Sequence, residues 1–258
     1  MGLQVEPRMN RLALVLFAGG LAGLGVLSLV YRDFALNWQP VPADIPHRAA
    51  LACVSAVILL ACGVGSFVPR VRSGCLLVLT LFLLSWLILL RIPPLAAHPG
   101  NSGLWLGVGE TLLHATGGWI LWNTFASAGA QQRSGIRIGR YLIGIALPLI
   151  GQSHFVYLKA TAAMIPAWLP SHMGLAYLTG AGHVAAGLAL LLGVFSTIAA
   201  ALEAVMLSCF VLLLHLPGVL AMPHNRLQWT MLCVASSMTG SAWALAAGLR
   251  TSKSKGSG

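Results

Sequence analysis

Long apolar stretches separated by short polar loops constrain this chain more than any other feature. Of its 258 residues, 58% are hydrophobic and 8% are charged, whereas soluble domains carry about 25% charged residues. Stretches long enough to cross a bilayer, at about 20 residues each, occupy 12–31, 49–68, 75–90, 104–125, 141–158, 174–195, 198–216 and 229–249. The sequence therefore predicts an all-α integral membrane protein with eight transmembrane helices.

The basic residues are divided unequally between the loops that these spans would leave on the two sides. With the N-terminus inside, ten of the 15 lysines and arginines fall inside, and the rest, Arg32, Arg48, Arg91, Lys159 and Arg226, fall outside. Because inner loops carry an excess of basic residues, we predict a multi-pass inner (plasma) membrane protein with both termini in the cytoplasm. The charges are scattered over short loops, which argues against a nucleic-acid partner.

The chain matches itself when it is shifted. A shift of 130 superposes Trp38-x-Pro40 on Trp168-x-Pro170 and Gly63 on Gly193. A shift of 124 superposes Pro93, Asn101 and Trp105 on Pro217, Asn225 and Trp229. The change of shift predicts an excess of six residues in the first half, near residues 69–74. The paired tryptophans are predicted to anchor helices at the outer membrane interface.

These matches predict two tandem four-helix bundles, residues 10–126 and 141–249. A cytoplasmic linker, 127–140, joins them, and cytoplasmic segments 1–9 and 250–258 flank them. Because each unit has an even number of spans, the units share one orientation and are related by an axis along the membrane normal.

Three histidines are predicted to converge in the outer half of the second unit. His154 lies near the outer end of the fifth span, His183 near the midplane of the sixth, and His215 at the outer end of the seventh. The shift of 130 places Leu24 and Cys53 opposite His154 and His183, and the shift of 124 places Arg91 opposite His215. The first unit lacks all three histidines, which favours a site confined to the second unit.

Further polar groups complete the predicted ligand site. Tyr157 shares a helix face with His154, and Lys159 supplies a cation at the outer rim. Glu203, an acid within the seventh span, must face protein or water and offers a proton route inward. The predicted ligand-binding residues are His154, Tyr157, Lys159, His183, His215 and Glu203.

The sixth span leaves the role of His183 open. Ala181, Ala185, Ala189 and Gly193 recur every four residues and predict a smooth ridge for helix packing, with His183 displaced from it. His183 can fasten two helices, bind a quinone or quinol, or bind a metal or haem; no H-x-x-E-H spacing supports the last. No metal site is predicted.

Three segments of the second unit, residues 139–160, 177–194 and 210–220, carry a resemblance to a known family. They contain Gly-Arg before the first helix, a Gly-rich second helix and His-Leu-Pro at the end of the third. The chain over about 139–245 resembles the DoxX-like membrane proteins. The family's usual acid on the second helix is His183 here, and Lys159 approximates a lysine that often ends the family's first helix.

The resemblance implies a four-helix membrane unit linked to redox systems, including the DoxD-type subunit of thiosulfate:quinone oxidoreductase. We therefore expect an accessory or quinone-binding subunit of an envelope redox process, with the bilayer, a redox partner subunit and a small apolar ligand as partners. The sequence leaves enzymatic activity open. The alternative is a non-catalytic small-molecule carrier or a membrane assembly or chaperone factor.

Overall fold

The fold consists of helices and loops. A computed structural model describes residues 5–254, with side chains for 8–251, and these residues include no β-strand. The predicted terminal segments 1–9 and 250–258 lie partly outside the described residues. The helices are α1 (Val5–Tyr31), α2 (Arg48–Gly65), α3 (Arg72–Trp86), α4 (Ile92–Ala97), α5 (Ser102–Ala126), α6 (Gly129–Val156), α7 (Leu158–Met164), α8 (His172–Leu192), α9 (Ser196–Phe210), α10 (Leu216–Ala221) and α11 (Arg226–Ser254). Two π-helical turns, Leu87–Arg91 and Val211–His215, join α3 to α4 and α9 to α10.

Each π turn immediately precedes a helix with a proline at its second position, Pro93 in α4 or Pro217 in α10. Proline has no N–H and its ring clashes with the preceding turn, so the regular α-helical hydrogen bond is lost there. Instead, the backbone hydrogen bonds at this point span five residues and not four. The N–H of Ile92 donates to the carbonyl of Leu87, and the N–H of Leu216 donates to that of Val211, five residues back in each case.

Helices α5 and α11 form the centre of the molecule. Helix α11 packs along α1 and α9, and α5 packs along α6 and α3. The two central helices also pack on each other, and they approach so closely at Gly117 that a Cβ there would clash with Ser241. The pairs α1–α2 and α6–α8 close the outside of the bundle.

Within residues 5–254, six helical segments are long and apolar enough to cross a membrane: Arg8–Tyr31, Arg48–Gly65, Arg72–Ala97, His172–Leu192, Ser196–Ala221 and Arg226–Thr251. The bent pair α6 and α7, with an angle of 92°, makes a seventh if it is one span. Eight spans were predicted, and α5, which carries Glu110 and His114, is not among those that qualify. Many α5 side chains, including His114, face neighbouring helices, so this helix has less need of an apolar surface.

The helices of the second half begin 124 residues after counterparts in the first. The starting pairs are Arg48 and His172, Arg72 and Ser196, Leu87 and Val211, Ile92 and Leu216, and Ser102 and Arg226. The predicted shift of 130 for the second helix of each half is therefore wrong, and the helices themselves show no six-residue excess. Instead, α8 is three residues longer than α2, with 21 residues against 18.

Close glycine contacts support the same register between α2 and α8. A Cβ at Gly25 would press on Ala56 and Leu60, and one at Gly151 would press on the carbonyl of Gly180 and on Val184. These contacts match α2 to α8 with a shift of 124 and α1 to α6 with a shift of 126. With a shift of 124, Leu59 and not Cys53 aligns with His183. With a shift of 126, Ser28 and not Leu24 aligns with His154.

The four loops at 32–47, 98–101, 157–171 and 222–225 lie on one side of the bundle, which we call the Trp38 side. Two of the paired tryptophans match there: Trp105 and Trp229 are partly exposed, and their indole N–H groups donate to the carbonyls of Pro99 and Pro223, each at 2.8 Å. The other pair differs. Trp38 is 4% exposed and Trp168 is 70% exposed, so Trp38 packs inside the protein and Trp168 lies on its surface.

Candidate functional site

A cavity of about 810 Å³ opens among the helices on the Trp38 side. Its wall is mostly apolar and comes from α5 to α9, α11, both π turns and the loop residues 36–38. The polar or ionisable side chains on it include Arg91 and Glu110 from the first half, with His154, Tyr157, Thr179, His183 and His215 from the second. An apolar cavity with a few converging polar groups is typical of a small-molecule site.

His183 and Glu203 form a buried pair beside this cavity. Nδ1 of His183 lies 2.8 Å from Oε1 of Glu203, and each side chain is 1% exposed. The buried face of α8 consists of Ala176, Gly180, His183, Ala186, Gly187 and Leu190. Because Ala181 and Ala185 are exposed, the predicted ridge is wrong, and His183 lies on the packing face itself.

The pair is only half satisfied. Nε2 of His183 and Oε2 of Glu203 are buried and have no hydrogen-bond partner among the described residues. Buried polar groups are normally hydrogen-bonded, so each such exception requires an explanation. Of the two residues only His183 lines the cavity, so it is the member of the pair that can contact a ligand there.

The hydrogen bond to Glu203 allows Nε2 two roles. When Glu203 is ionised, Nδ1–H donates to it and Nε2 offers a lone pair. When Glu203 is protonated, its O–H donates to Nδ1, and Nε2–H becomes a donor. Accepting a proton from a ligand at Nε2 while passing one to Glu203 converts the first state into the second. The pair can therefore take up one proton without leaving a buried imidazolium.

His154 lies next to this pair on α6. Its ring centroid is 5.1 Å from that of His183, and both rings lie about 6 Å from Phe210, at 6.2 and 6.0 Å. Nδ1 of His154 is 3.0 Å from the hydroxyl oxygen of Thr179, which itself donates to the carbonyl of Leu175 at 2.9 Å. When the Thr179 hydroxyl donates to Leu175, it accepts from Nδ1–H of His154, and in a neutral ring Nε2 of His154 is then an acceptor.

The other predicted site residues divide into two groups. Tyr157 and His215 line the cavity, as His154 and His183 do. Lys159 is exposed on α7 and is not part of the cavity wall. Glu203 is not on the wall either, and it acts on the cavity only through His183.

The sequence did not predict that Arg91 and Glu110, from the first half of the chain, line the cavity; we call the part they form the first-half wall. Arg91 is 7% exposed and donates from Nη2 to the carbonyl of Trp38 at 2.5 Å and from Nε to the hydroxyl of Thr111 at 3.3 Å. Glu110 lies on the same wall. The signal was present in the sequence, because Arg91 is the counterpart of His215, and each ends a π turn. Such turns occur frequently at functional sites.

His114, the remaining histidine within the spans, is fully satisfied. Its Nδ1–H donates to the carbonyl of Glu110 at 2.6 Å, and its Nε2 lies 2.7 Å from the hydroxyl of Ser237 on α11. It is 0% exposed and does not line the cavity. His114 therefore fastens α5 to α11.

Among residues 5–254, no group of three or more His, Cys, Asp and Glu side chains is arranged to hold a metal ion. Comparison with known protein families, with curated proteins and with solved structures found no match for this chain. The site must therefore be interpreted from its own geometry.

Proposed function

We propose that this chain is a multi-pass inner-membrane protein with eight spanning helices in two repeated units of the DoxX-like type. The recurrence of helix starts every 124 residues, the two proline-associated π turns and the paired packing of α1 on α11 and α6 on α5 support two units. The excess of basic residues on the side opposite Trp38 supports cytoplasmic termini.

Within this architecture, the cavity binds a quinone or quinol, and the chain serves as a quinone-binding or accessory subunit of an envelope redox process. One observation carries the proposal: His183 lines an apolar cavity, its Nε2 has no hydrogen-bond partner among the described residues, and its Nδ1 is bonded to Glu203. A quinone ring and its isoprenoid tail match an apolar wall, and its oxygens match a group that both donates and accepts.

Oxidation of a quinol releases two protons and two electrons. Nε2 of His183 accepts one proton as Nδ1 passes another to Glu203, and Nε2 of His154 offers the second acceptor. The two electrons pass to a redox partner subunit. The chain's own residues hold the ligand and take its protons.

A carrier or assembly factor is the second candidate, and the loop 157–171 favours it. This loop contributes Tyr157, Met164 and Leu169 to the cavity wall. It contains no acid that could match the ion pairs of the first-half loop, and Trp168 on it is 70% exposed. A cavity bordered by a loop without ion pairs can take up and release an apolar molecule without any chemical reaction.

The test is the amount of quinone retained by purified protein in mild detergent. The double variant His183→Leu/Glu203→Leu removes both partners of the buried pair together, so that neither is left uncompensated. It is expected to lower quinone retention at least about tenfold, the loss of one strong hydrogen bond to the ligand. His224→Leu, which removes an exposed histidine from a loop on the same side, is the matched control.

Equal quinone retention in the double variant and the control would refute quinone binding at His183. A stable wild-type protein that retains another apolar compound, lost in the double variant, would favour the carrier function.

A further inference from the structure

The first-half wall of the cavity carries a charged group with unused hydrogen-bonding capacity. Arg91 is 93% buried, and its Nε and Nη2 are bonded to Thr111 and Trp38. Its Nη1 has no hydrogen-bond partner among the described residues. A Cβ at position 107 would clash with Nη1, so the absence of a side chain at Gly107 makes the space that Nη1 occupies.

A second unused donor belongs to the same wall. Trp38 lines the cavity and is 4% exposed, and its indole N–H has no partner among the residues that the structure describes. The carbonyl of Trp38 accepts from Arg91, so the two residues are held together. The Trp38 N–H is itself buried away from the cavity, so Nη1 of Arg91 is the donor that this wall offers to an anionic oxygen.

An acid lies next to this pair without neutralising it directly. Glu110 lines the same cavity, one helical turn from Gly107. Its carboxylate forms no ion pair within 4.0 Å and no hydrogen bond within the described part of the chain. Arg91 and Glu110 thus place a cation and an acid on one cavity wall without a direct contact, and intramembrane charges of this kind often mark a ligand site.

We propose that the first-half wall binds the head group of a zwitterionic aminophospholipid. The phosphate oxygens accept from Nη1 of Arg91, the primary ammonium donates to Glu110, and the acyl chains occupy the apolar part of the cavity. A purely acidic lipid would satisfy Arg91 but would meet the carboxylate of Glu110. A head group with a quaternary amine has no N–H to donate to Glu110. The head-group contacts do not involve His183, but the lipid chains and a quinone compete for the same cavity.

The experiment measures lipid retention by native mass spectrometry. The full chain is reconstituted into nanodiscs containing equal parts of phosphatidylethanolamine, phosphatidylglycerol and phosphatidylcholine, and is then released into the gas phase. The wild-type protein is expected to retain phosphatidylethanolamine preferentially. Arg91→Gln should lower this retention about tenfold, because it removes the charge-assisted hydrogen bonds to the phosphate.

Glu110→Gln keeps the size of the side chain and tests the ammonium contact separately. It should abolish the preference for phosphatidylethanolamine over phosphatidylcholine while leaving the binding of both. Lys159→Gln removes an exposed cation that is not on the wall, and it should leave the lipid profile unchanged. The double variant His183→Leu/Glu203→Leu keeps Arg91 and Glu110, so its preference for phosphatidylethanolamine over phosphatidylcholine should persist when quinone retention is lost. This distinguishes a failure of this proposal from a failure of quinone binding.

Two outcomes would overturn the proposal. One is a preference for phosphatidylglycerol that Glu110→Gln does not alter, which would mean that Arg91 binds any acidic head group. The other is a lipid profile that neither Arg91→Gln nor Glu110→Gln changes in folded protein, which would mean that the two charges interact only within the chain.

Discussion

The two halves of the molecule place similar groups in different states. In the first half, His114 has both ring nitrogens bonded, and Trp38 is packed against Trp86 and His114 with ring centroids 5.1 and 4.7 Å apart. In the second half, His183 has one nitrogen bonded, and Trp168 is exposed. The difference teaches that an ionisable group inside a membrane helix can be structural when it is saturated and available for a ligand when it is not.

The loops over the two halves differ in the same sense. In loop 32–47, Asp33 accepts from Arg48 at 2.8 Å and lies 3.7 Å from Arg226 of α11. Loop 157–171 contains no acidic residue. The first-half loop is therefore tied to two helices, and the second-half loop is held by apolar contacts and backbone hydrogen bonds.

The largest contrast should come from the paired tryptophans. Trp38→Ala removes a buried indole and should lower the free energy of unfolding by about 3 to 5 kcal/mol. Trp168→Ala removes an exposed one and should change it by less than about 0.5 kcal/mol. Equilibrium unfolding in mixed micelles measures both values. Equal costs would mean that the two loops are packed alike.

The buried pair should show strong coupling. His183→Leu or Glu203→Leu alone leaves an uncompensated polar group in the interior and should cost about 3 kcal/mol. The double variant should cost much less than the two single variants together. Additive costs in the same unfolding assay would show that the two side chains do not act as a pair.

His114 should be the purely structural histidine. His114→Leu leaves the hydroxyl of Ser237 and the carbonyl of Glu110 without their bonds to it, and it should lower the free energy of unfolding by about 2 kcal/mol. Quinone retention per folded molecule should stay at the wild-type level. A loss of quinone comparable to that of the His183→Leu/Glu203→Leu variant would remove the distinction between the two histidines.

The smallest effect should come from the ion pairs that Asp33 forms in loop 32–47. Asp33→Asn weakens partly exposed ion pairs and should cost no more than about 1 kcal/mol. Hydrogen exchange should become faster in residues 32–47 and approach the rate in 157–171. Unchanged exchange would show that buried Trp38, and not Asp33, holds this loop.

Prediction from sequence was most reliable for the helices, because each is marked by a long apolar stretch. Each predicted span corresponds to a helix, and His154, His183 and His215 do line one cavity. The predicted shift of 130 failed because it relied on a W-x-P match in loops, whose path depends on tertiary packing. The small-residue ridge failed because several faces of α8 carry alanine or glycine, and only contact with α6 selects one of them.

The amino-acid sequence by itself determined an all-helical chain with a membrane protein's composition, the prolines at which the helices change their hydrogen-bond pattern and the place of each histidine along its helix. These features follow from residue type and from the fixed rise of a helix. Only the tertiary structure decided which polar groups meet: His114 with Ser237, His183 with Glu203, and Arg91 with Trp38. The partners come from helices far apart in sequence, and whether a ring nitrogen is left unbonded depends on side-chain orientations that no local pattern specifies.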